Sequence, residues 1–153
     1  MKPGRRRLLA AGLAAVLVPA GAPSVFASAE TPPLVVWKSP TCGCCAKWVE
    51  HMEANGFKVA VRDQGNTAAR KQAGIPQALG SCHTALVGGY AIEGHVPAAD
   101  VRRLLKDKPD AIGLAVPGIP VGSPGMEQDG RRDRYEVLLV TRDGKTRVFS
   151  THG

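Results

Sequence analysis

Four cysteines and one histidine carry most of the chemistry that this sequence offers. Cys42, Cys44 and Cys45 stand within four positions in the stretch TCGCC, and Cys82 and His83 follow far downstream in GSCHTALVGG. Thiolate and imidazole are ligands that suit Cu(I) and Zn(II), and a C-x-x-C pair also permits thiol–disulfide exchange. In an exported chain four cysteines would by default form two disulfides, in one of three pairings. The cysteines therefore predict a soft-metal site, a redox site or a disulfide framework.

The cysteine spacing favours a soft metal over a framework. Three thiolates and one imidazole would close a tetrahedral zinc site, but the usual zinc spacing of two C-x-x-C pairs is missing. Cu(I) accepts two or three sulfurs, and an exported protein is more exposed to copper stress, so copper is the expected metal and zinc the second choice. Clustered cysteines make poor staples, because closing a very short loop removes little chain entropy.

Local geometry ranks the candidate ligands. If Cys82 and His83 both lie in a strand, their side chains point to opposite faces, so Cys82 is the expected ligand and His83 a second ligand or a neighbour that tunes the thiolates. Adjacent Cys44 and Cys45 do not share one helix face. Cys42 and Cys44 are therefore the stronger thiolate candidates, with Cys45 partly in the core. All five residues stay on the list of metal ligands.

Three histidines and a methionine are weaker candidates. His51 stands seven residues beyond Cys44, about 10 Å along a helix, and is expected to be a surface histidine. His95 ends a predicted strand that could bring it towards the site. Met126 could supply a thioether to Cu(I), although a loop methionine more often packs. His152 is expected in a frayed terminus.

The elements that must position the first cluster follow from apolar spacing. PLVVWKS is predicted as a buried strand that ends in a turn. A helix should follow, because apolar residues recur at i, i+3, i+4 and i+7; they are Cys45, Trp48, Val49 and Met52. The cluster thus falls where a strand enters a helix. Free N–H groups and the positive end of a helix favour thiolate there and can lower a cysteine pKa.

The other elements complete an α/β order of β-α-β-α-β-β-α. The predicted elements are a strand at FKVAVRD, a short helix at NTAARKQAG capped by Asn66 or Thr67, two strands at CHTALVGG and YAIEGHV joined at Gly88-Gly89, and a helix at PAADVRRLLKD opened by Pro97. Residues 109–134 show no periodicity, so no regular structure is expected, but their apolar residues predict a strap packed on the domain. The chain should close with a β-hairpin around Asp143-Gly144.

The first 29 residues read as a signal peptide that is cleaved after Ala29. A basic leader precedes a short apolar run and the small-residue site Ala27-Ser28-Ala29. The run is too short and too broken for a stable membrane span, and Arg5-Arg6-Arg7 permits a twin-arginine route. A periplasmic or otherwise exported protein is therefore expected, with residues 30–153 forming a single thioredoxin-like metal-binding domain.

Removing the leader also removes most of the net charge. The whole chain carries 20 basic and 13 acidic residues, a net of +7. The leader holds four of the basic residues and no acid, which leaves 16 against 13, a net of +3. No basic stripe with interleaved aromatics remains, so a nucleic-acid partner is not expected.

The element order with a C-x-x-C at the first helix resembles the thioredoxin and glutaredoxin fold over residues 34–107. In that family a cis-proline faces the C-x-x-C, and here Cys82-His83-Thr84 takes its place.

SPTCGCC, SCHTALVGGYAIEGHVPA and GLAVPGIPVGSPGME also resemble a family of small exported bacterial proteins. That family is catalogued as a domain of unknown function, labelled predicted metal-binding and associated with copper handling. The resemblance implies copper binding, with Cys42, Cys44, Cys45, Cys82 and His83 as the matching motif positions.

Three functions follow as hypotheses. The leading one is an exported protein that sequesters copper or exchanges it with another exported protein that donates or accepts the metal. The alternative is a periplasmic thiol–disulfide oxidoreductase in which Cys42 attacks and Cys45 resolves. The third is a small domain stapled by two disulfides.

Overall fold

The computed structural model describes residues 31–153, and the predicted signal peptide lies outside the described residues. The α/β class is confirmed, and the order of helices and strands up to α3 is the predicted one. The elements in this range are β1 (Leu34–Lys38), α1 (Gly43–Ala54), β2 (Val59–Arg62), α2 (Thr67–Ala73), a 3-10 turn (Gln77–Leu79), β3 (His83–Val87), β4 (Tyr90–Glu93), α3 (Ala98–Asp107), β5 (Gly113–Ala115), β6 (Tyr135–Val140) and β7 (Thr146–His152). No helix within residues 31–153 has the length and apolar character needed to cross a membrane.

The strands form one mixed sheet of seven, in the order β2-β1-β3-β4-β5-β6-β7. β1 runs parallel to β2 and antiparallel to β3, and its last residue, Lys38, pairs with His83, the first residue of β3. The loop that follows β1 and the loop that precedes β3 therefore lie side by side at the same end of these two strands. This register brings Cys82 close to the cysteines that open α1.

The core lies between the sheet and α1 and α3. The apolar face predicted for α1 is confirmed, because Cys45, Trp48, Val49 and Met52 are all buried. β1 alternates between buried and half-buried residues, with Leu34 inside, as a period of two requires. The first turn of α1 is thus held against the sheet by side chains next to the cysteines.

The strap prediction is wrong at one place, because β5 forms within residues 109–134. This strand pairs in parallel with β4 and antiparallel with β6. At Gly113 an added Cβ would lie 1.7 Å from the Ala91 oxygen, so only glycine permits the approach. Three residues show no period, and both partners are distant in sequence, so apolar patterning could not reveal the strand. Leu114 and Val116 are buried as expected, whereas Ile119 is exposed.

Candidate metal centre

The four cysteines come together at the N-terminus of α1. Cys42 is the N-cap residue, Cys44 and Cys45 lie in the first turn, and Cys82 is the residue before β3. All four Sγ atoms lie within 4.8 Å of one another. Cys44 Sγ is 3.5 Å from Cys42 Sγ and 3.9 Å from Cys82 Sγ. Cys44 and Cys45 do not share a helix face, yet both belong to the cluster, because Cys82 lies beside the N-terminus of α1.

The cluster is partly oxidised in this structure. Cys42 and Cys45 form a disulfide, and Cys44 and Cys82 are free thiols. Cys45 is fully buried, whereas the other three cysteines are half-buried. The hypothesis of two stapling disulfides is wrong for this structure, since a single disulfide joins cysteines of the described range and it closes only a three-residue separation.

His95 contributes the nitrogen nearest to the cluster. Its Nε2 atom lies 3.1 Å from Cys82 Sγ, and its Nδ1 atom lies 2.8 Å from the Pro124 oxygen. Because a carbonyl oxygen only accepts, Nδ1 carries the proton of the neutral ring and Nε2 keeps its lone pair. A backbone carbonyl that fixes the tautomer in this way is typical of histidines that bind metals. Burial lowers the pKa of His95 and keeps the ring neutral.

His83 is also brought to the site, on the side of the core. Its Nδ1 atom lies 3.5 Å from Cys82 Sγ, and its ring lies 4.3 Å from the ring of Trp48. The side chains of Cys82 and His83 were expected to point to opposite faces of a strand. They do not, because β3 begins at His83 and Cys82 precedes the regular strand. The ligand atoms of Cys82, His83 and His95 lie within 4.8 Å of one another and form a second group that shares Cys82.

Burial fixes the protonation of Cys82 and of its neighbour His83. It lowers the pKa of His83 to about 3, with His95 as a smaller cause. Burial, followed by the charge of nearby Cys44, raises the pKa of Cys82 to about 12. His83 is therefore a neutral imidazole at pH 7, and its Nε2 atom has no hydrogen-bond partner among residues 31–153. The Nδ1 atom of the neutral His83 ring faces the Cys82 thiol, and this pair fits a centre for a soft metal, since a bound cation would stabilise the thiolate form.

The strap packs on the first turn of α1, next to this cluster. At Gly125 the backbone φ is +86°, and an added Cβ would lie 2.8 Å from both the Cys44 oxygen and the Trp48 nitrogen. The Glu127 carboxylate accepts a hydrogen bond from the Gly125 N–H at 2.9 Å. The strap therefore contacts the first turn of α1 and carries the Pro124 carbonyl to His95.

Two histidine predictions are wrong. His51 is half-buried rather than on the surface, and its Nε2 atom accepts a hydrogen bond from the Ala98 N–H at 3.1 Å. His152 does not lie in a frayed end, because its Nε2 atom is 2.7 Å from Asp100 Oδ2. Met126 is half-buried on the strap, and its thioether ligation stays a prediction.

His95 is the residue that sequence reasoning underrated. It lies just beyond β4, where Gly94 turns the chain with a φ of +71° and donates to the His83 oxygen. The sequence feature that could have indicated His95 was a glycine followed by a histidine directly after the second strand of a hairpin.

Comparisons with known proteins show what this chain is similar to. A family model described as "Protein of unknown function, DUF411" matches residues 79–126. A solved structure titled "Copper resistance protein copG- Form 1" is 44% identical with a TM-score of 0.76, and the match covers 80% of this chain and 98% of that chain. The form 2 structure is 44% identical with a TM-score of 0.77, and the match covers 81% and 100%. Among curated proteins, no match was found.

Proposed function

Because this chain belongs to the family of the copper resistance protein CopG, we propose that it is an exported protein that binds copper as Cu(I) and sequesters or transfers it. The proposed ligands are drawn from Cys42, Cys44, Cys45, Cys82 and His83, to which the geometry adds His95. Export and a periplasmic location rest on the predicted signal peptide.

The observation that carries the proposal is the convergence of two ligand groups on Cys82. One group holds only sulfur atoms, and the other joins Cys82 to His83 and His95. Sulfur and imidazole are soft or borderline ligands and favour Cu(I) or Zn(II) over Mg(II) or Ca(II). Copper comes first because of the copper resistance relatives, and zinc comes second because three thiolates and an imidazole would also suit it.

The disulfide sets how many ligands the site can offer. In the oxidised form Cys44, Cys82, His83 and His95 are free to bind, whereas Cys42 and Cys45 are joined. Reduction by a dithiol partner adds two electrons and two protons and frees two more thiols. Transfer would then proceed by ligand exchange at the half-buried cysteines, with a partner's sulfur or nitrogen replacing one thiolate at a time.

One observation favours the alternative, a thiol–disulfide oxidoreductase. Cys42 of the disulfide is half-buried and Cys45 is fully buried, so an incoming thiolate would attack Cys42 Sγ and release the Cys45 thiolate. A second thiol of the partner would then resolve the mixed disulfide. The partner would leave oxidised, and Cys42 and Cys45 would hold two electrons and two protons.

A copper titration separates the two functions. The protein is reduced under anaerobic conditions, titrated with Cu(I) against a chelator, and its free thiols are counted before and after. Tight stoichiometric uptake that protects the thiols and is lost in Cys82→Ser, but kept in the remote His152→Ala variant, supports copper binding. Uptake no tighter than that of a small dithiol, together with mixed disulfides at Cys42, supports the oxidoreductase instead.

A further inference from the structure

We infer that Arg70 and Glu93 form a buried clamp that positions Cys82 in the cluster, an inference that rests on the proposed function. Arg70 Nε lies 2.9 Å from Glu93 Oε1, and the exposed fractions of the two side chains are 9% and 0%. Arg70 belongs to α2 and Glu93 ends β4, so the pair ties a helix to the strand that leads into His95.

The clamp forms hydrogen bonds to the backbone of Ser81, the residue before Cys82. The Ser81 N–H donates to Glu93 Oε1 at 2.7 Å, and Arg70 Nη2 donates to the Ser81 oxygen. Asn66 Nδ2 also donates to that oxygen, at 3.1 Å. The N–H and C=O groups of Ser81 are thus both fixed, which sets the direction in which the chain enters Cys82.

Two residues near Ser81, Asn66 and Gly80, favour these hydrogen bonds. Asn66 occupies the N-cap position of α2, yet its side chain makes no capping hydrogen bond and contacts the Ser81 oxygen and Thr84 Oγ1 instead. An N-cap asparagine ordinarily stabilises its own helix, so this local stabilisation is given up. At Gly80 an added Cβ would lie 2.8 Å from Arg70 Nη1, so glycine leaves room for the guanidinium.

A buried ion pair of this kind is poorly explained by stability. Desolvation of both charges offsets most of their attraction, and apolar replacements of such pairs are often neutral or stabilising. The loop before β3 is irregular, and residues 31–153 contain no cis peptide bond that could shape it. The clamp supplies the fixed geometry that holds Cys82 Sγ 3.9 Å from Cys44 Sγ and 3.1 Å from His95 Nε2.

Two variants test the clamp without removing a ligand. Arg70→Lys keeps the charge, but a single ammonium cannot reproduce the two contacts that Nε and Nη2 make. Asn66→Ala is a milder change that removes one donor to Ser81 and involves no helix-capping bond. Val137→Ala is the control, since Val137 is fully buried in β6, three strands away from β3 in the sheet.

Two readouts are measured for each variant. The first is Cu(I) affinity of the reduced protein, which we expect to fall about 10- to 100-fold in Arg70→Lys, and in the same direction in Asn66→Ala, as for other residues that orient metal ligands. The second uses no metal: the equilibrium of a Cys44–Cys82 disulfide with glutathione, in a Cys42→Ser/Cys45→Ser background. We expect this disulfide to become easier to reduce in both clamp variants and to be unchanged in Val137→Ala.

The outcomes separate the clamp from the copper function. Losses in both readouts that exceed those of Val137→Ala support the clamp, and equal losses overturn it. If the unaltered protein binds no Cu(I) tightly, the proposed function fails and the glutathione equilibrium alone decides the clamp. If Arg70→Lys does not fold, Asn66→Ala decides it against the same control.

Discussion

The Nε2 atom of His95 lies 3.1 Å from the Sγ atom of Cys82. The two residues stand on opposite sides of the β3–β4 hairpin, and the antiparallel pairing of those strands brings them together. Cys82 is therefore the one residue common to the sulfur group and the histidine group.

We predict that His95→Ala lowers the Cu(I) affinity of the reduced protein by about 10- to 100-fold, because a ligand fixed by the Pro124 carbonyl is lost. Competition with a Cu(I) chelator measures this. His152→Ala is the matched control, since His152 pairs with Asp100 outside the cluster. Equal affinities for the two variants would exclude His95 as a ligand.

We predict that Gly125→Ala destabilises the protein more than Gly130→Ala does. Both glycines have positive φ, +86° and +68°, so both substitutions carry a similar conformational cost of about 1–2 kcal/mol. Only Gly125 faces backbone atoms at 2.8 Å, whereas nothing lies within 4 Å of a Cβ at Gly130. Urea unfolding measures the difference.

If the strap also holds His95 in place, Gly125→Ala lowers the Cu(I) affinity and Gly130→Ala leaves it unchanged. Equal stability of the two variants would show that the strap does not press on the first turn of α1.

We predict that the copper capacity follows the state of the Cys42–Cys45 disulfide. Counted after unfolding, the oxidised protein should show two free thiols, Cys44 and Cys82, and the reduced protein four. The reduced form should bind Cu(I) more tightly, because thiolates rather than disulfide sulfurs are metal ligands. A Cys42→Ser/Cys45→Ser variant with Cys44 and Cys82 both as thiols should bind Cu(I) only as tightly as the oxidised protein does. An affinity equal to that of the fully reduced protein would show that Cys42 and Cys45 are not ligands.

We predict that the metal-free protein loses stability as the pH falls below about 6.5. Burial lowers the pKa of folded His83 to about 3, so the unfolded state takes up the proton first. The contribution of the neutral ring is complete above the unfolded pKa and is lost as the pH falls towards the folded pKa. Between pH 7 and pH 4.5 this is about 2.5 kcal/mol.

Urea unfolding at the two pH values measures that slope. His83→Phe should flatten it, because a neutral ring of similar shape takes no proton. An unchanged slope in His83→Phe would assign the acid sensitivity to other groups, with His51 and His95 as the next candidates, since burial also lowers the pKa of each.

Short-range patterns made much of the fold predictable. The period of 3.6 residues identified the buried face of α1, and the paired glycines Gly88-Gly89 and the Asp143-Gly144 turn identified two hairpins. The same patterns placed three cysteines at a helix N-terminus, where thiolates are stabilised. These features depend on residues within one or two turns of the chain, so the sequence alone was enough.

Long-range contacts were decided by the tertiary structure. The position of β5 between β4 and β6, the pairing of Cys42 with Cys45 rather than another cysteine, and the approach of Pro124 to His95 leave no local pattern. Each depends on sheet order and register, which are set by burial and hydrogen bonding across many residues at once. The sequence by itself therefore determined that this chain carries a cluster of soft ligands, and only the tertiary structure decided that His95 joins Cys82 within it.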